Sequence, residues 1–333
     1  DGNEAAARLH YEAVLKNSPD HLNAMLGIAT LDEMAGRRSE ALTWLKKAHQ
    51  AHPEALQPGL LLYRQYMTTG ERLKALQVAR TVADANPKSP AAIEALATSQ
   101  LVNDDLNNAM VNYEKLVELS PDSAQANLLL AKAYLRSGNL GKARNAFNQT
   151  LEIRQDDIQA LAGLVAVEME SQNPVQAETI ISTIQSEYPE SSIGYQLNGD
   201  FLRQAKNHKA AANAYSEAYL RSPSSKLILR MYQSYKLAND EKPALEALER
   251  GAKKYPENAD IRLALATEYH LDGRLEDASR EYERLIELRP DNITAINNLA
   301  WIYHEEGDTR ARALAGRAYQ LAPERPVIVD TYG

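Results

Sequence analysis

Residues 259–290 read ADIRLALATEYHLDGRLEDASREYERLIELRP, and the spacing of residues in this stretch predicts how the whole chain folds. Its apolar and small residues recur with the spacing of two helices, and Gly273 supplies a turn signal between them. Pro290 closes the stretch, because proline fixes φ, lacks an N–H group and cannot continue a helix. The stretch therefore predicts one helix–turn–helix unit.

The unit recurs along the whole chain at a nearly constant interval, and two of its steps are one residue shorter than the rest. Its closing prolines are Pro19, Pro53, Pro87, Pro121, Pro189, Pro223, Pro256, Pro290 and Pro323, with Gln155 in the one remaining place. An alanine stands twelve residues before each closing place, at Ala7, Ala41, Ala75, Ala109, Ala143, Ala177, Ala211, Ala244, Ala278 and Ala311. We expect these alanines where two helices cross closely. The recurrence predicts a repeat array, not two ordinary domains.

The turns inside the units carry glycine in five places, which suits a left-handed helix end. These are Gly36, Gly70, Gly138, Gly273 and Gly307, while Asp104, Gln172 and Lys206 replace glycine elsewhere. No stretch alternates with a period of two, so the sequence predicts no strands. The predicted fold class is all-α.

These residues resemble the tetratricopeptide repeat (TPR) family over the whole chain. Unit eight carries the family pattern at Leu265-Ala266, Tyr269, Ala278, Tyr282 and Pro290. The resemblance implies a right-handed α-solenoid of about nine units with a concave inner face, plus a half unit at each end. The predicted single superhelix spans residues 1–333, with a half repeat at 1–20, full repeats at 21–54, 55–88, 89–122, 123–156, 157–190, 191–224, 225–257, 258–291 and 292–324, and a truncated repeat at 325–333. We expect the native protein to extend beyond both ends.

The fifth unit departs most from the pattern. Gln155 replaces the closing proline before it, and Asn173-Pro174 changes its turn. The two shortened steps add irregularities at the seventh and ninth units. We expect any bend or change of superhelical pitch at these places.

Composition and motifs narrow the function classes. The net charge is −8, which makes the chain a poor generic partner for nucleic acid or anionic lipid. Cysteine is absent, so disulfides and thiol catalysis are excluded. Gly138 to Lys142 is too short for a phosphate loop, and His49 and His52 have no third metal ligand at matching spacing. The sequence therefore predicts a protein that is not an enzyme and that holds no cofactor or metal.

A ligand would bind the concave face, which the first helix of each pair supplies in repeat arrays. Counting from the prolines places eight candidate side chains there: Arg64, Met67, Leu128, Lys132, Leu135, Arg136, Arg203 and Arg230. One interpretation is that the leucines and methionines only pack neighbouring helices and that the cations are merely solvated. The other is an apolar groove for a partner helix or extended peptide, with a broken basic track suited to an acidic peptide or anionic polysaccharide.

The last forty or so residues are similar to the C-terminal repeats of bacterial envelope TPR proteins. The resemblance is carried by Asn297-Asn298-Leu299-Ala300-Trp301, by 317–323 and by 330–333. It extends to the repeat lipoproteins encoded with exosortase (PEP-CTERM) and exopolysaccharide systems. It implies an interaction scaffold in a Gram-negative envelope assembly for polysaccharide export or surface-protein sorting. The predicted location is periplasmic or envelope-associated, with membrane attachment only through a lipid anchor outside this sequence.

Two other hypotheses stay open at this point. One is a cytoplasmic adaptor or regulator that recognises a peptide. The other is an accessory repeat domain of a larger enzyme, such as a carbohydrate-processing enzyme or a transferase. A lipobox cysteine would favour the envelope scaffold, and a fused catalytic domain would favour the enzyme.

Overall fold

The computed structural model describes residues 2–325 and Ile328, and within them the chain is a succession of α-helices without strands. The first helices of the pairs are α2 (Leu22–Met34), α4 (Leu56–Thr68), α6 (Pro90–Val102), α8 (Ala124–Arg136), α10 (Ile158–Glu170), α12 (Ser192–Gln204), α14 (Ser225–Leu237), α16 (Ala259–Leu271) and α18 (Ile293–Glu305). The second helices are α3 (Arg38–Ala51), α5 (Arg72–Ala85), α7 (Leu106–Leu119), α9 (Leu140–Ile153), α11 (Pro174–Glu187), α13 (His208–Arg221), α15 (Glu241–Lys254), α17 (Leu275–Leu288) and α19 (Arg310–Leu321), and α1 (Gly2–Asn17) precedes the first pair. The predicted all-α fold of helix pairs is confirmed. The truncated repeat predicted at 325–333 lies outside the described residues, except for Arg325 and Ile328.

The chain forms two compact units, residues 1–173 and residues 174–333. They are called the N-terminal unit and the C-terminal unit below. The boundary falls at Asn173-Pro174, the turn that departs from the repeat pattern. Inside each unit a helix packs mainly on its neighbours in the chain, and some first helices also touch the first helix of the next pair. Such contacts between near neighbours are typical of a solenoid.

The periodic alanines mark the tightest helix crossings. Eight of the ten are buried, and only Ala7 and Ala311, in the outermost helices, are half-buried. Ala75, Ala109 and Ala143 expose none of their surface. Because no space remains around them, a larger side chain would push the two helices apart.

The turns inside the pairs adopt the left-handed conformation that the glycines predict. Gly138 has φ +73°, and a Cβ added there would meet no atom within 4 Å, so the backbone angle alone selects glycine. The amide of Asn139 donates to the carbonyl of Tyr134 at 2.9 Å, which satisfies a carbonyl at the end of α8. Asp104, Gln172 and Lys206 have positive φ as well. Asn239 takes the same conformation in the seventh pair, where the sequence offers no glycine.

The two shortened steps of the repeat have specific locations. The first lies in the loop before α14, because the N-caps of α12 and α14, Ser191 and Ser224, are one residue closer than in the preceding pairs. The second lies in the first turn of α19, where the Ala311 amide donates to the Asp308 carbonyl three residues earlier. Because of the first shortened step, every position of α14 is occupied by a residue one earlier in the sequence than counting from the prolines predicts. The residue that aligns with Gln196 is Leu229, and not Arg230 as counting from the prolines predicts.

Tyrosine–glutamate pairs join adjacent pairs of helices. The Tyr269 hydroxyl donates to Glu249 Oε1 at 2.9 Å, and the Arg274 guanidinium lies 4.1 Å from the Tyr269 ring centroid. Burial, followed by the hydrogen bond to Glu249, raises the pKa of Tyr269 to about 12. The same arrangement of tyrosine, glutamate and cation recurs at Tyr134 with Glu114 and Lys142, and at Tyr303 with Glu283 and Arg310. These contacts hold neighbouring repeats together.

Candidate functional site

The candidate site is the first-helix face, defined by the ninth and twelfth residues after the N-cap of each first helix. In the N-terminal unit the ninth-position row is Thr30, Arg64, Thr98, Lys132 and Ala166, and the twelfth-position row is Glu33, Met67, Leu101, Leu135 and Met169. In the C-terminal unit the rows are Asp200, Gln233, Thr267 and Trp301, and Arg203, Lys236, His270 and His304.

The twelfth-position row of the N-terminal unit is apolar over four consecutive first helices. Met67, Leu101, Leu135 and Met169 are all half-buried, so each packs against its neighbours and still presents part of its side chain to solvent. The half-buried position of these four side chains agrees with both interpretations that the sequence left open. The row supports the helices and also offers an apolar surface.

The basic side chains predicted for this face differ in whether a carboxylate of the chain neutralises their charge. The Arg136 guanidinium pairs with Asp104 at 2.5 Å and donates to the Leu101 carbonyl at 3.2 Å. Arg64 and Lys132 are exposed, and within residues 2–325 neither has a carboxylate within 4 Å. Lys132 Nζ instead donates to the Gln159 amide oxygen at 2.7 Å. Since no carboxylate among these residues neutralises either charge, both cations of the ninth-position row can still meet an anionic group of a ligand.

Leu128 does not belong to the accessible surface of the site. It is only 3% exposed, and the Leu135 side chain further along the helix reaches solvent instead. Counting along the helix placed Leu128 on the concave face, but neighbouring helices cover that position. Leu128 packs in the core under the surface residues of the site and cannot contact a ligand directly.

The C-terminal unit presents a different face. Arg230 pairs with Asp200 at 2.9 Å, and its guanidinium lies 5.4 Å from the Tyr215 ring centroid. The Tyr215 hydroxyl also donates to Asp200, at 2.7 Å. Burial, followed by the hydrogen bond to Asp200, raises the pKa of Tyr215 to about 12. Arg230 is thus neutralised within the fold, while Arg203 is exposed.

A second polar cluster links α14 to α16. The buried Glu268 carboxylate accepts hydrogen bonds from the Tyr232 hydroxyl at 2.7 Å and from Lys236 Nζ at 2.9 Å. The hydrogen bond to Glu268 raises the pKa of Lys236, while burial and Glu268 raise the pKa of Tyr232. Lys236 is therefore held by the fold, although it stands in the twelfth-position row.

Aromatic rings occupy the last two first helices. The His270 and Trp301 rings stack with centroids 5.0 Å apart, and Tyr282 approaches His270 edge-on at 6.3 Å. Burial lowers the pKa of His270. The Asn298 amide donates to the Tyr282 hydroxyl at 2.9 Å. The sequence analysis named Tyr282 as a residue of the repeat pattern but assigned neither Tyr215 nor Tyr232 to the site. Tyr215 and Tyr282 share one position on their second helices, and that recurrence was a signal.

The part of the chain that the structure describes lacks two features of other functional classes. No three histidine, aspartate or glutamate side chains there lie close enough together to hold a metal ion. Among the same residues, no helix combines the length and the apolar character that crossing a membrane requires.

Comparisons with known proteins agree with the repeat pattern. Models described as "Tetratricopeptide repeat" match residues 2–55 and 100–167, and one described as "TPR repeat" matches residues 266–307. A TPR repeat-containing protein of Pseudomonas aeruginosa is 27% identical over 139 residues, which is 40% of this chain and 23% of the relative. The match therefore spans less than a quarter of that curated relative's length.

Solved structures show the same fold. A tetratricopeptide repeat protein from Parabacteroides merdae superposes with a TM-score of 0.62 at 17% identity, over 73% of this chain and 97% of that one. The C-terminal part of a TPR repeat-containing protein from Cytophaga hutchinsonii gives a TM-score of 0.56 at 15% identity, over 71% of this chain and 98% of that one. At these identities the likeness concerns the fold alone.

Proposed function

The chain belongs to the tetratricopeptide repeat family, and we propose that it is an interaction scaffold whose N-terminal unit binds a peptide or partner protein on its first-helix face. The observation that carries this proposal is the apolar row of Met67, Leu101, Leu135 and Met169 beside Arg64 and Lys132. A contiguous apolar surface rimmed by polar groups is typical of an interaction site.

The chemistry of this row suits a protein ligand. Leucine and methionine side chains gain free energy by leaving water, at about 25 cal/mol per Å² of apolar surface buried. The thioether side chains of Met67 and Met169 at the ends of the row adapt their shape to a partner. Arg64 and Lys132 give the complex an orientation, since their charges have no carboxylate partner in the described chain.

We place the scaffold in a bacterial envelope assembly linked to exopolysaccharide export or surface-protein sorting. The similarity of the C-terminal repeats to envelope TPR proteins supports this location. The partner would then be a component of that assembly. Fractionation of the native full-length protein is the test: recovery with the envelope supports the proposal, and recovery in the cytoplasm favours a peptide-binding adaptor instead.

The binding face is tested with a double variant, Leu101→Asp with Leu135→Asp. We expect it to lose the partner that the unmodified chain captures from its native extract, because two charges would interrupt the apolar row. Leu237→Asp with Leu271→Asp is the matched control, since both leucines are exposed on first helices of the C-terminal unit, at 56% and 73%.

Captured proteins are compared by quantitative mass spectrometry, with circular dichroism to establish equal helicity. Unchanged capture by the first variant would refute the proposed face. Leu128→Asp is unsuitable, because burying a charge there would unfold the repeat.

A further inference from the structure

We infer that α16 and α18 of the C-terminal unit form a binding site for an uncharged oligosaccharide, which packs a sugar ring on Trp301. The site is called the aromatic patch below and consists of Thr267 and His270 on α16 and of Asn298 and Trp301 on α18. It belongs to a different unit from the apolar row, so the inference goes beyond the proposed function. It follows from how the indole is held, from the charge of its surroundings and from the hydrogen-bonding groups of the patch.

The indole of Trp301 is accessible and held in place. Within the described residues, Trp301 is the one exposed aromatic side chain on a first helix, at 39%. The His270 ring stacks on the indole with centroids 5.0 Å apart and an angle of 24° between the rings. Tyr282, which is fully buried, approaches His270 edge-on and accepts a hydrogen bond from the Asn298 amide at 2.9 Å. Because these contacts fix the ring before a ligand arrives, binding costs little side-chain entropy.

The aromatic patch and the positions beside it contain no lysine, arginine, aspartate or glutamate. These are the fifth, sixth, ninth and twelfth positions after the N-caps of α16 and α18, namely Leu263, Ala264, Thr267 and His270, and Asn297, Asn298, Trp301 and His304. On the preceding first helix, Arg230 pairs with Asp200, and Lys236 pairs with Glu268. An acidic peptide or a phosphate group would therefore meet no unpaired lysine or arginine at these positions.

The aromatic patch also offers hydrogen-bonding groups. Within the described residues, neither imidazole nitrogen of His270 forms a hydrogen bond, and no donor reaches the side-chain oxygen of Asn298. The Thr267 hydroxyl donates to the Leu263 carbonyl at 2.8 Å and keeps its lone pairs as acceptors. Burial lowers the pKa of His270, so at neutral pH its uncharged imidazole supplies one donor and one acceptor. The patch thus combines an aromatic surface with donors and acceptors that carry no charge.

A sugar ring has the chemistry that fits this combination. One face of a pyranose ring is a flat set of C–H groups, and its rim carries hydroxyl groups that both donate and accept. The electron-rich face of an indole attracts C–H groups, and the hydroxyl groups match the imidazole and amide of the patch. A peptide fits less well, because its apolar side chains need a contiguous apolar surface. The ninth and twelfth positions of α16 and α18 hold no leucine, methionine, isoleucine or valine.

The test measures the binding of cellohexaose and β-1,4-mannohexaose to the whole chain by isothermal titration calorimetry. We expect at least one of these uncharged hexasaccharides to bind with a Kd of about 1 mM. Trp301→Leu should weaken that affinity at least about tenfold, because the sugar loses its stacking surface, whereas Trp301→Phe keeps a ring and should retain most of it. Trp44→Leu is the matched control, since Trp44 is the other tryptophan of the chain and lies on the second helix α3. Circular dichroism establishes that the variants are equally helical.

Two further probes separate the classes of ligand. Hexagalacturonic acid carries a carboxylate on every ring, and hexaproline offers apolar rings without hydroxyl groups. We expect each to bind at least about tenfold more weakly than the better of the uncharged hexasaccharides. The acid meets no unpaired cation in the patch, and the peptide leaves its hydrogen-bonding groups unsatisfied.

Three results would overturn the inference. They are no binding of either uncharged hexasaccharide at about 10 mM, equal affinity of Trp301→Leu and the unmodified chain, and tighter binding of hexagalacturonic acid or hexaproline. The last result would identify an anionic sugar or a peptide as the occupant. None of the three touches the proposed function, because capture of the native partner is tested on the N-terminal unit. Conversely, Leu101→Asp with Leu135→Asp should bind the hexasaccharides as the unmodified chain does.

Discussion

The two units share one repeat and present opposite chemistry at the same place. After Glu33, the twelfth-position row of the N-terminal unit continues with Met67, Leu101, Leu135 and Met169, whereas the row of the C-terminal unit is Arg203, Lys236, His270 and His304. The alanines, turns and helix lengths that build the repeat are alike in both. The framework residues therefore fix where a side chain lies and leave its chemistry free to vary from unit to unit.

The first and largest expected effect comes from giving the C-terminal row the chemistry of the N-terminal one. Lys236→Leu leaves the buried Glu268 carboxylate with Tyr232 as its remaining polar partner. We expect the free energy of unfolding to fall by about 2–3 kcal/mol, because a buried carboxylate loses its cation. Urea denaturation measures the change. The control is Arg203→Leu at an exposed site of the same row, where a change within about 0.5 kcal/mol is expected. A change within about 0.5 kcal/mol for Lys236→Leu as well would contradict the prediction and mean that this row tolerates apolar side chains throughout.

The second prediction concerns acid sensitivity in the C-terminal unit. Burial holds the pKa of His270 below its usual value. The unfolded chain then binds the proton more readily, so the stabilising contribution is complete above about pH 6.5 and is lost as the pH falls through the folded pKa. We expect His270→Phe to flatten the decline in unfolding midpoint between about pH 7.5 and about pH 5.

The midpoint is followed through Trp301 fluorescence in a Trp44→Phe background, which restricts the signal to the C-terminal unit. His304→Phe serves as the control, because His304 is exposed in the same row. An unaltered decline in the His270→Phe variant would show that another group governs the pH response.

The third and smallest effect compares one turn from each unit. Gly138 and Lys206 both have positive φ, and lysine adopts this conformation at a cost. Lys206→Gly should raise the free energy of unfolding by about 0.5 kcal/mol, since relief of strain exceeds the added entropy of the unfolded chain. Gly138→Ala should lower it by about 1 kcal/mol. Thermal unfolding of both variants is the measurement, and a loss of stability in Lys206→Gly would contradict the prediction.

Much of the fold was predictable because each repeat has the same types of residue at the same helix contacts and turns. The alanine and proline series located the helix pairs, and the replacements at Asp104, Gln172 and Lys206 were correctly assigned to turns. Asn239 was missed, although it stands at the same distance before Pro256 as most of the other turn residues before their closing prolines. Counting forward from Pro223, in contrast, placed the first shortened step too late and misaligned the residues of α14. A residue count cannot tell in which loop a deletion lies, whereas hydrogen bonding at the helix ends can.

The site was less predictable, for a physical reason. Position along a helix says which way a side chain points, but burial also depends on the helices that the next repeat brings alongside. Leu128 and Leu135 both lie on the predicted face, yet only Leu135 reaches solvent. Charges pose the same problem: Arg230 and Lys132 look alike in sequence, and the fold supplies a carboxylate to Arg230 alone.

The shortened loop at Ser222–Ser224 has a consequence for how such chains change length. If a residue were removed inside a helix, the residues after it would rotate by about 100° around the helix axis. Buried and exposed positions would then no longer match the neighbouring helices. Here the connection between two pairs absorbs the loss, and α14 keeps the same side toward its neighbours. Whole pairs can accordingly be duplicated, excised or exchanged at these connections. Removing residues 90–123 should shorten the apolar row by one step and leave the remaining steps aligned.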